Sequence, residues 1–223
     1  MTVYKEFAPA KINLTLKVLG KRPDGYHELE SLVAFADAGD YVTLDVSKPV
    51  GVTMSGPFAG SIAGENLLSV TLRRLSEAES RLRLGAVHLE KNLPVAAGIG
   101  GGSADAAAVI RAVQRANPER IDDVDWRRIA LRVGADVPVC IVSHLAWMRG
   151  IGEIVAPLKF AKPVHIDAIV VNPLIAVPED KTAQVFRAYA AKPNPYADRP
   201  ENHPGIHNRE DLIQVIRRGR NDL

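Results

Sequence analysis

The sequence predicts an α+β fold, and three observations predict it. Apolar and polar residues alternate through much of the first fifty positions, the mark of half-buried strands that follow one another in antiparallel fashion. Helical patterns are interspersed after that, without the regular strand–helix alternation of a doubly wound sheet. Between strand and helix lies Leu93-Pro94-Val95-Ala96-Ala97-Gly98-Ile99-Gly100-Gly101-Gly102-Ser103, a glycine-rich turn that runs into an alanine-rich helical stretch.

In chain order, Ile12, Leu14, Leu16 and Val18 alternate with Asn13, Thr15 and Lys17 and read as a half-buried strand. Pro23-Asp24-Gly25 is a turn signal. Leu29 to Phe35 and Tyr41 to Val46 read as two further strands, and Asn66 opens a helix that continues through Leu72 and Leu75. Ala86 to Lys91 is a strand that leads into the glycine turn. Ser103 reads as the N-cap of the next helix, because its hydroxyl can accept a free backbone N–H and the residues to Ala116 favour helix. Trp126 to Val133 is an amphipathic helix stopped by Gly134. The apolar run Val137 to Val142 reads as a buried strand, and Gly150-Ile151-Gly152-Glu153 as a tight bend. Beyond Pro157 come a strand from His165 to Val171, a helix from Thr182 to Ala191, a proline-rich connection to Pro204 and a helix from Asn208 to Arg218. The change of character divides the chain into residues 1–157 and 158–223.

Bulk properties exclude several classes. A formal net charge of +2 over 223 residues is too small to argue for nucleic acid or a membrane surface. With 47% hydrophobic and 24% charged residues, the composition is that of an ordinary soluble globule. Cys140 is the one cysteine, so no internal disulfide can form and a reducing compartment is expected. Its apolar surroundings point to a buried, inert thiol. No apolar run is long enough to cross a bilayer, and Met1 to Glu6 carries no signal-peptide core, so a cytoplasmic protein is expected. His203 and His207 bracket Pro204-Gly205-Ile206, which no helix could present as a metal pair, and no metal site is expected from the side chains.

The glycine turn carries the chemistry. Glycines ahead of a helix let backbone N–H groups converge on a ligand without Cβ obstruction, and the helix N-terminus adds partial positive charge. An anion, most often phosphate, is the expected guest. A P-loop is excluded because the last glycine is followed by Ser103-Ala104, and the one Gly-Lys pair, Gly20-Lys21, is followed by Arg22. A dinucleotide fingerprint fits poorly, because Ser103 stands where a third glycine or alanine belongs.

Four motifs now stand in order: Pro9-Ala10-Lys11-Ile12-Asn13-Leu14, Asp24-Gly25-Tyr26-His27, the Gly98–Ser103 loop, and Gly134-Ala135-Asp136-Val137-Pro138. In these the chain resembles the GHMP kinase family, densely to Glu153 and more thinly beyond. The resemblance implies a ribosomal protein S5 domain 2-like N-terminal domain over 1–157 and an incomplete ferredoxin-like C-terminal domain over 158–223. The Tyr-His pair and the Pro-Ala-Lys-Ile-Asn start narrow it to the branch that transfers the γ-phosphoryl group of ATP, with Mg²⁺, to a hydroxyl of a CDP-linked methylerythritol on the non-mevalonate route to isoprenoid precursors. Alternatives are another small-molecule kinase of the family or a catalytically silent nucleotide-binding fragment. The family continues past the position of Leu223, so this chain alone is expected to be less stable and less active than a longer one.

The resemblance also implies roles. Asp136 matches the catalytic base and Lys11 the cation that orients it. Gly98, Gly100, Gly101, Gly102 and Ser103 match the cradle for ATP phosphates, with Ala104 replacing a serine common in the family. Asn66 and Lys91 fall where the family contacts the nucleotide, or else serve as a helix cap and a strand-end charge. Asn13 matches a substrate-holding residue, and Tyr26 and His27 the reader of the cytosine. Phe186 and Thr182 match further substrate contacts, although Val177 to Thr182 departs from the family's Ser-Thr-Pro spacing, and Phe186 could equally be the buried side of an amphipathic helix. The implied partner is the small-molecule substrate, with the protein a monomer or weak homodimer.

Overall fold

The computed structural model describes residues 2–62, 66–173, 181–190 and 205–223, apart from the side chains of Thr182 and Ala190. The elements are β1 (Val3–Lys21), β2 (His27–Asp45), β3 (Gly51–Ser55), α1 (Leu67–Ala78), β4 (Ala86–Glu90), α2 (Gly101–Ala116), α3 (Trp126–Val133), α4 (Val137–Val142), β5 (Ala146–Gly150), β6 (Ile154–Pro157), α5 (Lys181–Ala190) and α6 (Arg209–Arg218). They divide into two compact units, Met1–Ile12 with Phe35–Ser143 and Asn13–Ala34 with His144–Leu223.

In the first unit, β4 pairs antiparallel with the end of β2, from Tyr41↔Glu90 to Asp45↔Ala86. Its other edge pairs parallel with β3, from Gly51↔Ala86 to Ser55↔Glu90. Strand alternation places Val42, Leu44, Val87 and Leu89 in the core, while Tyr41 is exposed. α2 is buried on almost every face because it is rich in alanine and valine, and it packs against α1, α3 and α4. Asn66 caps α1, its side chain accepting from the Leu68 N–H, and Asp125 caps α3 through the Arg128 N–H.

In the second unit, β5 pairs antiparallel with the first part of β2, from Leu29↔Gly150 to Val33↔Ala146, and then with β6. The bend at Gly150-Ile151-Gly152 is the β5–β6 hairpin, where Gly150 and Gly152 take φ of +74° and +125°. Asn208 caps α6, which sets Leu212 against Leu32 and Ile206 in the core of this unit. Near Leu223 the chain pairs with β1: the Leu16 N–H donates to the Arg220 carbonyl and the Asp222 N–H to the Leu16 carbonyl.

Several expectations are corrected. The segments 29–35 and 41–46 are one strand, β2, and β3 was not anticipated. Val137 to Val142 is the helix α4, not a strand. A six-residue apolar run shows no period, and Pro138 in the first turn suits a helix start. Residues 165–171 form no strand: Ile169 and Val171 are 91% and 84% exposed, and no neighbouring strand among the described residues supplies a ladder. α2 begins at Gly101, with Gly100 as N-cap in the left-handed region, so Ser103 lies inside the first turn. His203 and the proline-rich connection lie outside the described residues. Among the described residues no helix is long and apolar enough to cross a membrane.

Candidate active site

The glycine turn lines a cleft of about 310 Å³ in the first unit, together with Asn66, Leu67, Lys91 and Ser103. Ala96, Gly98 and Gly100 all take positive φ, of 57°, 77° and 64°, which folds the turn back under the start of α2. At Gly100 a Cβ would come within 2.9 Å of the Lys11 Cβ, so only glycine fits there. α2 thus opens with free N–H groups and the positive end of its dipole beside a cradle with no side chain in the way, a geometry that takes phosphate. Asn66 takes the helix-cap role on α1 and also lines the cleft.

Lys11 is held against this loop. Its backbone N–H donates to the Ile99 carbonyl at 2.8 Å, and its ammonium lies 3.0 Å from Asp136 Oδ1. The lysine side chain is 5% exposed and that of Asp136 is 39% exposed, so a buried cation faces a carboxylate that solvent or a ligand can reach. Asp136 occupies the N-cap position of α4, yet its side chain makes no capping bond. The carboxylate is therefore free of the cap role and oriented by the ammonium.

Beneath the loop lies a second charged cluster. Lys91 donates to Asp40 Oδ2 at 2.6 Å and to Asp105 Oδ2 at 2.7 Å, and all three side chains are at most 3% exposed. Asp40 Oδ1 also accepts from the Asn92 and Leu93 N–H groups at 2.6 and 2.7 Å. Burial pushes the Asp105 carboxyl up to about 7, against the pull of the Lys91 charge and with a smaller push from Asp40. Asp105 Oδ1 is buried without a hydrogen-bond partner among the described residues, which adds to the cost of ionising this carboxyl. Lys91 lines the cleft, but its ammonium is turned toward Asp40 and Asp105. Asp40 escaped the sequence reading, where its only signal is a carboxylate after Gly39 between two apolar stretches.

The second unit holds the other anticipated residues. His27 stacks on Phe186 with ring centroids 4.5 Å apart and planes 16° from parallel. Burial first, and then the charge of Lys21, hold the His27 imidazole below its ordinary 6.5, so it presents one donor and one acceptor at neutral pH. Tyr26 is 57% exposed, its N–H donating to Asp24 Oδ1. Asn13 donates to Ser31 Oγ at 2.7 Å. Thr182 begins α5, and its side chain lies outside the described residues. The structure thus brings Lys11, Asp136 and the glycine loop together in one unit, and His27 and Phe186 together in the other.

Comparison with known proteins follows the same lines. Residues 66–144 match the model of the GHMP kinases N terminal domain. The chain is 48% identical over 191 residues to 4-diphosphocytidyl-2-C-methyl-D-erythritol kinase of Bradyrhizobium sp. (strain ORS 278), covering 85% of this chain and 62% of that one. It is 45% identical over 230 aligned positions to the enzyme of the same name from Methylobacterium radiotolerans, covering 100% of this chain and 77% of the other. The chain therefore spans 62% and 77% of the length of these two relatives. A crystal structure of 4-(cytidine 5'-diphospho)-2C-methyl-D-erythritol kinase matches 97% of this chain and 72% of its own, with a TM-score of 0.65 at 33% identity. Likeness at this level runs through both units, and the matched family segment contains the glycine loop and Asp136; the chain belongs to the 4-diphosphocytidyl-2-C-methyl-D-erythritol kinase family, within the GHMP kinases.

Proposed function

We propose that this chain transfers the γ-phosphoryl group of ATP to a hydroxyl of 4-diphosphocytidyl-2-C-methyl-D-erythritol, on the non-mevalonate route to isoprenoid precursors. The observation that carries this reading is the 3.0 Å pair of Lys11 and Asp136, held in the same unit as the glycine cradle. A phosphate cradle alone would serve any nucleotide-binding protein. An accessible carboxylate held by a buried ammonium adds what phosphoryl transfer to an alcohol requires.

Gly98, Gly100, Gly101 and Gly102 hold the phosphates through backbone N–H groups, and the Ser103 hydroxyl adds a contact in the first turn of α2. Asn66 and Lys91 flank the nucleotide. Mg²⁺ enters bound to the triphosphate and neutralises part of its charge. Asp136 accepts the hydroxyl proton as the new O–P bond forms. The bond from the γ-phosphorus to the bridging oxygen breaks, and ADP leaves with that electron pair. Lys11 orients Asp136 and offsets negative charge during transfer. Asn13, Tyr26, His27, Phe186 and Thr182 hold the cytidine-linked substrate, with a neutral His27 reading the base edge. By motif we read residues 1–157 as the nucleotide domain and 158–223 as the C-terminal one, whereas by packing residues 13–34 and 144–157 group with the C-terminal residues. The protein works in the cytoplasm as a monomer or weak homodimer.

ADP release with ATP, Mg²⁺ and the CDP-linked acceptor tests this reading, measured beside Asp136→Asn. We expect turnover in the wild type and a loss of about 10²–10⁴-fold in the variant, the range for a general base. Equal ADP release from both would remove Asp136 from the reaction. ATP binding without ADP release would leave a nucleotide-binding chain that is not a kinase for this acceptor.

A further inference from the structure

We infer that Asp40 is a positioning residue for the glycine loop, pinning its entry directly and its exit through Lys91. The inference rests on the nucleotide reading of that loop. Asp40 sits on β2 and is fully buried. One carboxylate oxygen takes the N–H groups of Asn92 and Leu93, the first residues after β4, and so holds the entry to the loop. The other takes the Lys91 ammonium, which also bonds to Asp105, one turn into α2, and so holds the exit. The ammonium lies directly under the loop: a Cβ on Gly101 would come 3.1 Å from it. Main-chain bonds fix Lys91 itself, its N–H donating to the Ser55 carbonyl at 2.8 Å and its carbonyl accepting from the Phe58 N–H.

A buried ion cluster is a poor stabiliser, because removing its charges from water costs about as much as their attraction returns. What this one contributes is geometry. The glycine turn has few side chains of its own to hold it, and its phosphate-binding N–H groups act only when they converge. With entry and exit tied to one buried carboxylate, the turn is set before a nucleotide arrives, and the cost of ordering it on binding falls.

The test uses Asp40→Asn, in which an amide N–H confronts the Lys91 ammonium, beside Leu75→Ala, a core variant that lowers stability away from the loop. Two quantities are read: amide exchange across residues 92–103 without nucleotide, and the Kd for MgATP. Asp40→Asn is expected to speed exchange in that segment and raise the Kd at least about tenfold, the equivalent of ~1.4 kcal/mol. The KM for ATP rises with it while the KM for the acceptor holds. Leu75→Ala leaves both readouts close to wild type at matched loss of stability. A folded Asp40→Asn that exchanges and binds as the wild type does, or a Leu75→Ala that reproduces its defects, overturns the proposal. If Asp40→Asn does not fold, Asp40→Asn/Lys91→Met, which leaves no donor facing a donor, is read by amide exchange alone, because Lys91 itself flanks the nucleotide; wild-type exchange across 92–103 in it overturns the proposal. A wild type that binds no MgATP overturns the nucleotide reading instead, and the exchange data then still decide whether Asp40 pins the loop.

Discussion

Gly100 and Gly102 are neighbours in one motif, yet they differ in what a methyl group would meet. At Gly100, φ is +64° and a Cβ would lie 2.9 Å from the Lys11 Cβ and 3.1 Å from its Cε. Gly102 sits inside α2, where the nearest atom to an added Cβ is Leu67 Cδ2 at 3.8 Å. Gly100→Ala is therefore expected to cost about 1–2 kcal/mol for the left-handed backbone, before any strain against Lys11. Displacement of Lys11 from Asp136 should also lower turnover more than tenfold, since ~1.4 kcal/mol of lost stabilisation is a factor of ten. Gly102→Ala removes backbone freedom in a helix and should leave stability unchanged or raise it by up to ~1 kcal/mol. Urea unfolding of the two variants checks the contrast; equal losses would show that the loop, not the Lys11 contact, sets the requirement. The need for glycine was legible from composition. Which glycine touches the lysine was not, because that contact joins residues far apart in the chain.

The start of α2 is where an element depends on its neighbours. One turn in lies Asp105, whose carboxyl is pushed up to about 7 from the ordinary 3.8, chiefly because it is buried. A raised folded value means the native state holds the proton more tightly than the unfolded chain. The contribution of this carboxyl to stability is thus full below pH 3.8 and is lost as pH rises through about 7. Asp105→Asn keeps an acceptor for Lys91 without a titrating proton, so it should flatten the dependence of unfolding free energy on pH across that window. An unchanged profile would mean that another group titrates there. At this scale the sequence pattern was reliable for α1, α3 and α6, where a cap and a helical stripe agree, and for α5, where the stripe stands by itself. It failed at α4, because a fully apolar run carries no period to separate helix from strand. It failed again at 165–171, because β-propensity cannot form a strand without a partner.

Across the molecule, the thiol of Cys140 offers a probe of the first unit. It is 1% exposed on α4, and burial pushes it up to about 12, so neither access nor ionisation favours reaction. An alkylating reagent should leave the native protein unmodified for as long as the first unit stays closed and add one label per chain in denaturant. Labelling in native buffer at the rate of a model thiol would show that the first unit opens easily. The anticipated inertness came from its apolar neighbours in the sequence, even though the segment was assigned to the wrong element. Burial depends on hydrophobicity, and hydrophobicity survives that error.

Local chemistry was enough to specify the glycine cradle, the cap at Asn66, the helix ended by Gly134 and the turn at Asp24-Gly25. Each depends on backbone freedom, side-chain hydrogen bonding or periodicity within a few residues. Motif resemblance added the proposed roles of Lys11 and Asp136 without their distance. Packing alone set the 3.0 Å pair, turned Lys91 inward and joined Asp40 to both ends of the loop. These contacts arise only once β1, β2, β4, α2 and α4 are assembled, because a buried charge takes the partners that the fold brings within reach.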